Sequence, residues 1–110
     1  MIKKAILTLA LSLFSFTATN AECDAKFCNG KIKRLVINDS GISIRTDGNH
    51  SNLNCAATNG YVQLHNSHIQ FDRIYAMLLT AASTNQQITI RIDEGSTNCT
   101  VQYTYMDFPQ

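Results

Sequence analysis

The sequence predicts a small, mainly β domain that carries one helix. One stretch, Ser67 to Asn85, has helical periodicity: Phe71, Ile74, Tyr75, Leu78, Ala81 and Ala82 share one face of a 3.6-residue repeat. Five other runs read as short strands bounded by turn residues, three before that helix and two after it. All four cysteines lie beyond Glu22. A small exported domain of this kind gains from cross-links what its core is too small to supply.

The chain opens with Lys3 and Lys4, continues with an apolar run from Ala5 to Phe16, and reaches small residues at Thr19-Asn20-Ala21. That is the pattern of a secretory signal peptide over residues 1–21, leaving a single domain over residues 22–110. The apolar run is shorter than the roughly 20 residues that span a bilayer, so export without membrane insertion is expected, to the periplasm or beyond. Beyond residue 21 stand seven basic and eight acidic side chains, a net charge of −1. Only Lys31, Lys33 and Arg34 cluster, within one strand. Nucleic acid is therefore not an expected partner, because phosphate-backbone binding needs a basic surface.

The strands follow in order. Glu22 to Gly30 reads as an arm tethered by cysteines. Lys31 to Asn38 is the first strand; its alternation slips between Ile32 and Leu35, which a β-bulge at Lys33 and Arg34 repairs. Asp39-Ser40-Gly41 turns the chain into Ile42–Thr46, with Ile42 and Ile44 inward and Ser43 and Arg45 outward. Asp47 to Asn54 is polar, aperiodic and expected to be mobile. Tyr61 to His65 is the third strand. The helix opens on Ser67 and Gln70, the S-x-x-Q capping box, and stops at Asn85. Gln87 to Asp93 alternates, with Ile88, Ile90 and Ile92 inward and Thr89 and Arg91 outward. Thr100 to Asp107 closes the set, with Val101, Tyr103 and Tyr105 on one face. Three strands, a helix and two strands is the order of an OB-fold, a five-stranded Greek-key barrel with its helix between the third and fourth strands.

Cys23, Cys28, Cys55 and Cys99 allow three pairings. The favoured one joins Cys55 to Cys99 across the body and closes a small loop with Cys23 and Cys28. A zinc site is the competing reading; the spacing lacks C-x-x-C and export favours oxidation, so no metal and no cofactor is expected. There is no G-x-S-x-G elbow and no paired carboxylate, and His50, His65 and His68 read as surface or capping residues. A binding protein is expected rather than an enzyme.

Two surfaces stand out. Arg73, Ala76, Met77, Thr80 and Ser83 form a second helix stripe of small, mixed character. Such a stripe suits close packing against another subunit, or equally a helix lying along the mouth of its own barrel. The exposed faces of the first two strands carry Lys33, Arg34, Ser43, Arg45 and Thr46, with Tyr61 near them. Polar groups beside a tyrosine suit a carbohydrate or another small polar ligand.

The segment F-x-x-x-Y-x-x-x-L, then Asn85-Gln86-Gln87 and I-T-I-R-I, resembles the B subunits of subtilase cytotoxin and its relatives, a family of pentameric bacterial toxin binding subunits. The similarity begins at Asn29-Gly30-Lys31-Ile32 and runs through Ser40-Gly41-Ile42, Cys55, Phe71, Tyr75, Leu79 and Ala82. The resemblance implies an OB-fold and a homopentamer whose helices line the centre, with Arg73, Ala76, Met77 and Thr80 at the oligomer interface. It also implies recognition of sialylated cell-surface glycans beside the first two strands, through Asn29, Asp24, Arg45, Thr46 and Tyr61, and delivery of a separate active subunit. The chain departs from the family in having Thr80, Ala81 and Ala82 where aromatics stand late in the helix, and in a shorter C-terminal segment. The alternative expectation is a monomeric exported OB-fold protein that binds a protein or small ligand and has no toxin partner.

Overall fold

A computed structural model describes residues 21–108. The signal peptide expected over residues 1–21 lies, but for Ala21, outside them. The described chain is mainly antiparallel β-sheet with a single α-helix. Strand β1 (Glu22–Cys23) is followed by β2 (Phe27–Asn38), β3 (Gly41–Thr46) and β4 (Val62–His65). Helix α1 (Phe71–Thr84) then leads to β5 (Gln87–Ile92) and β6 (Val101–Tyr105). The ladders run β4-β3-β2-β5-β6, with β1 added to β2. No ladder joins β4 to β6; the two meet through one parallel bridge between Gln63 and Thr100, where the Gln63 N–H donates to the Cys99 carbonyl at 3.0 Å.

Strand β2 is the spine of the sheet. Its first half pairs with β5 and its second half with β3, and the register shifts between Ile32 and Arg34. The bulge expected at Lys33 and Arg34 is therefore present, and it lets one long strand serve two ladders by bending between them. The strand starts at Phe27, four residues before the expected boundary, because the arm folds back as β1 and Cys23 joins Cys28. The second disulfide joins Cys55 to Cys99. Both pairs are those favoured from the sequence.

The core lies between the inner sheet face and the helix. Ile42, Ile44, Val62, Leu64, Ile88, Ile90, Ile92 and Val101 are at most 1 % exposed, and Ile74, Leu78 and Ala81 meet them from the helix. The alternation of β3 and β5 thus points inward as expected. Strand β6 does not follow its alternation. Val101 opposes Ile92 while Tyr103 opposes Arg91, so a register shift leaves Gln102 extra. Val101 is buried, whereas Tyr103 and Tyr105 are turned to the outer face, 43 % and 40 % exposed. Thr89, expected outward, is on that face but covered by its neighbours, at 6 % exposed.

The helix begins at Phe71, not Ser67, and no side chain caps it at Gln70. The capping box is replaced by a turn built on His68. Its Nδ1 accepts from the Gln70 N–H at 2.9 Å, and its Nε2 donates to the Gln102 carbonyl at 2.7 Å, fixing the helix start to β6. Ala82, placed on the apolar face by its spacing, is exposed at the far end. Asn85 ends the helix in the left-handed conformation at φ 55°, as expected.

Candidate functional site

The outer sheet surface is divided by the bend in β2 into two faces, each with a shallow depression. On β2, β5 and β6 the side chains form three rows: Phe27, Arg91 and Tyr103; Asn29, Thr89 and Tyr105; Lys31 and Gln87, with Asp107 beyond the end of β6. The first two rows carry aromatic rings at their ends, Phe27 on β2 and Tyr103 and Tyr105 on β6. Phe27 meets Tyr103 and Tyr105 edge to face, with ring centroids 6.4 and 6.5 Å apart, and Arg91 lies 5.0 Å over the Phe27 ring. Next to Tyr105, a 550 Å³ depression is lined by Asn29, Lys31, Gln86, Gln87, Thr89, Asp107 and Phe108. Asn29 Oδ1 accepts a hydrogen bond from the Thr89 hydroxyl.

The other face belongs to β2, β3 and β4. Arg34 opposes Arg45, and Ser43 stands between Val36 and Gln63. Arg45 lies 4.4 Å over the Tyr61 ring and donates to the Asn59 carbonyl at 2.7 Å; Arg34 donates to the Tyr61 hydroxyl at 3.2 Å. A 440 Å³ cleft beside them is lined by Ser40, Ser43, Thr58, Asn59, Gln63, His65 and Asn98, with Val36 and Tyr61.

The five residues expected at one ligand site are therefore dispersed. Arg45 and Tyr61 are together. Asn29 lies five residues before Arg34 on β2, roughly 17 Å at 3.3 Å per residue, on the aromatic face. Asp24 is committed to its own turn: its carboxylate accepts from the N–H groups of Phe27 and Lys26, each at 2.8 Å, and these bonds hold its pKa below the ordinary value. Thr46, expected on the exposed face, is 4 % exposed. Its hydroxyl is 2.8 Å from His50 Nε2, while His50 Nδ1 is 2.7 Å from the Gly60 carbonyl. A carbonyl only accepts, so Nδ1 carries the proton and Nε2 accepts from Thr46. Burial pushes the His50 pKa down.

His50 corrects two expectations at once. It is 4 % exposed rather than a surface residue, and the 47–54 segment is tied down around it. Residues His50–Asn52 form a 3-10 turn, Leu53 is buried, and Asn54 bonds to Ala25 and Gly95. Cys23, Cys28 and His50 bring their ligand atoms within 4.8 Å of one another. The two sulfurs are joined to each other and both imidazole nitrogens are hydrogen-bonded, so this cluster does not fit a metal.

On the helix, Ala76 and Thr80 are exposed, with the Thr80 hydroxyl donating to the Ala76 carbonyl at 2.9 Å. Met77 is turned toward its own sheet, where its sulfur accepts from the Thr104 hydroxyl at 3.3 Å. Arg73 donates to Gln70 Oε1 at 3.0 Å. The expected interface stripe is thus split between a solvent-facing side and a side resting on β6.

Phe27, Tyr103 and Tyr105 are absent from the sequence reading of the site. Phe27 falls in a stretch dominated by turn residues, and the Gln102 bulge leaves no mark on the regular V-Q-Y-T-Y pattern. No family model, no curated protein and no solved structure matches the chain. Its two disulfides fit an oxidising compartment, and among the described residues no helix is long and apolar enough to cross a membrane.

Proposed function

We propose that this protein is an exported carbohydrate-binding protein of the toxin B-subunit type, built on an OB-type barrel. In this reading like subunits assemble, a ring of five being the form the family resemblance suggests, and accompany a separate active subunit. Four features support the barrel: the strand order, the helix between β4 and β5, the bend in β2 and the single parallel bridge from β4 to the start of β6.

The observation that carries glycan binding is the aromatic face. Pyranose rings present C–H groups that stack on an aromatic surface and hydroxyls that need paired donors and acceptors. Tyr103 and Tyr105 supply exposed rings, and Asn29, Gln86 and Asp107 supply amide and carboxylate groups beside them. The depression is open, which suits the end of a glycan chain. A glycan array probed with the disulfide-bonded protein tests the reading. Binding to a defined set of cell-surface glycans, lost in Tyr105→Ala and weakened in Asn29→Ala, is the expected result. Silence across sialylated and neutral glycans rejects it.

One observation favours a second reading, a monomeric exported OB-fold protein without a toxin partner. Met77 spends part of the helix's second face on the protein's own strand, which leaves less surface for a neighbour. Light scattering separates the two, since an assembled ring has several times the mass of one chain.

A further inference from the structure

The Arg34–Arg45 pair is an anomaly that the glycan face does not explain. Two guanidinium groups stand directly opposite each other on neighbouring strands, an arrangement that costs stability. Their hydrogen-bond partners are the Tyr61 hydroxyl and the Asn59 carbonyl, both neutral. The adjoining cleft is lined by hydroxyls, amides, an imidazole and one apolar side chain, and by no carboxylate. Among the described residues, two positive charges therefore stand beside a polar cleft, around its Tyr61, with no carboxylate lining the cleft to balance them.

The neighbouring side chains on β2, β3 and β4 are held by their own hydrogen bonds. The Asn38 side-chain oxygen accepts from the N–H groups of Ser40 and Gly41, each at 3.0 Å, which fixes the orientation of its amide. Asn38 Nδ2 therefore donates to the Ser43 hydroxyl at 3.3 Å, and Ser43 passes its own proton to Gln63 Oε1 at 2.7 Å. Every donor along this chain is directed the same way, and it ends on Gln63 Nε2, a buried amide nitrogen with no acceptor. That nitrogen has no accessible surface, so no ligand in the cleft reaches it; the network holds Ser43 and Gln63 in fixed orientation beside the arginines.

We infer that Arg34 and Arg45, held around Tyr61 beside the cleft, bind a doubly charged tetrahedral oxyanion, inorganic sulfate or phosphate or a phosphate monoester, with the two guanidiniums neutralising it. A dianion balances the two arginines; a carboxylate leaves one of them uncompensated. Charge-assisted bonds from guanidinium to such an anion are the strong class of hydrogen bond. The site uses the second half of β2 with β3 and β4, and the glycan face the first half of β2 with β5 and β6, so either can fail alone.

The test is an NMR titration of the isotopically labelled, disulfide-bonded protein near pH 7 with sodium sulfate and sodium phosphate, at ionic strength held constant with chloride. The expected result is saturable movement of the Arg34 and Arg45 Nε–H signals. Acetate at the same concentration produces no saturation. Galactose 6-phosphate, largely a dianion near pH 7, binds as free phosphate does, and galactose 6-sulfate, whose ester carries a single charge, binds no better than acetate. Arg45→Met weakens binding roughly tenfold or more. Arg34→Met weakens it similarly without lowering the melting temperature of the ligand-free protein, because it relieves the like-charge pair. Absence of saturation with both anions, equal binding of acetate, or wild-type affinity in Arg34→Met overturns the inference.

Discussion

At the scale of single residues, the most consequential side chain is one with no part in either proposed site. His50 is neutral, buried and used at both nitrogens, and it joins the end of β3 to the carbonyl that precedes Tyr61. Protonating Nε2 would set its hydrogen against the hydroxyl proton and N–H of Thr46. Burial lowers its folded pKa, so the unfolded chain takes up a proton first as the pH falls. The contribution of His50 to stability is thus complete above the unfolded value of about 6.5 and is lost as the pH drops from there through the lower folded pKa. Urea midpoints measured between about pH 7.5 and 5 should decline in the wild type, and the decline should flatten in His50→Gln. Glycine positions give a second, purely steric prediction. At Gly41, φ is 149° and a Cβ would lie 2.0 Å from the Leu64 carbonyl oxygen, an immovable neighbour on the paired strand. At Gly95, φ is 81° and a Cβ would meet nothing within 4 Å. Gly41→Ala should therefore cost roughly 3 kcal/mol or more and Gly95→Ala about 1 kcal/mol, read from denaturant melts.

At the scale of elements, the helix and the three inner strands were legible because their patterns carry one meaning each. Ile74 and Leu78 repeat at helical spacing and are buried; Ile88, Ile90 and Ile92 repeat at strand spacing and are buried. Leu78→Ala should accordingly cost about 2–5 kcal/mol, while Leu79→Ala, at the next position, 44 % exposed, should cost under about 1 kcal/mol in the same denaturant melts. The bulge in β2 was legible as well, because it breaks an alternation and so leaves a visible slip. The bulge at Gln102 was not, because Val101, Tyr103 and Tyr105 alternate without a fault and only the pairing with β5 reveals the extra residue. That single residue moves two tyrosines from the core to the surface, and with them the centre of the proposed glycan face. The arginine pair was half legible. The outward positions of Arg34 and Arg45 follow from the strand pattern, but their being cross-strand neighbours depends on register. Thr46 and His50 show the opposite failure, since polar residues in a loop-rich stretch carry no sign of burial until their partners are known.

At the scale of the whole molecule, the question is what holds the ends of the sheet together. Strands β4 and β6 share no ladder; the Gln63–Thr100 bridge, the hydrogen bond from Gln63 to Cys99 and the side-chain hydrogen bond between His65 and Thr100 at 3.2 Å join them. The Cys55–Cys99 disulfide sits at this junction, tying the approach to β4 to the residues entering β6 across 44 positions of sequence. The Cys23–Cys28 disulfide spans only 5 positions and fastens β1 to the start of β2, which are already hydrogen-bonded. In the chain-entropy treatment a cross-link stabilises by restricting the unfolded chain, and the effect grows with the logarithm of the loop. The long loop is then worth about 4 kcal/mol and the short one about 2 kcal/mol. The positions of the two bonds widen that difference, because only the long one lies where backbone pairing is sparse. Replacing Cys55 and Cys99 together by alanine should lower the urea midpoint about twice as far as replacing Cys23 and Cys28. Hydrogen exchange should add a local signature: the Gln63 N–H, which bonds directly to the Cys99 carbonyl, should lose protection in the first double variant and retain it in the second. Equal midpoints for the two variants, with Gln63 protected in both, would mean that β4 and β6 are held by packing against the shared core and that the disulfide merely decorates their junction.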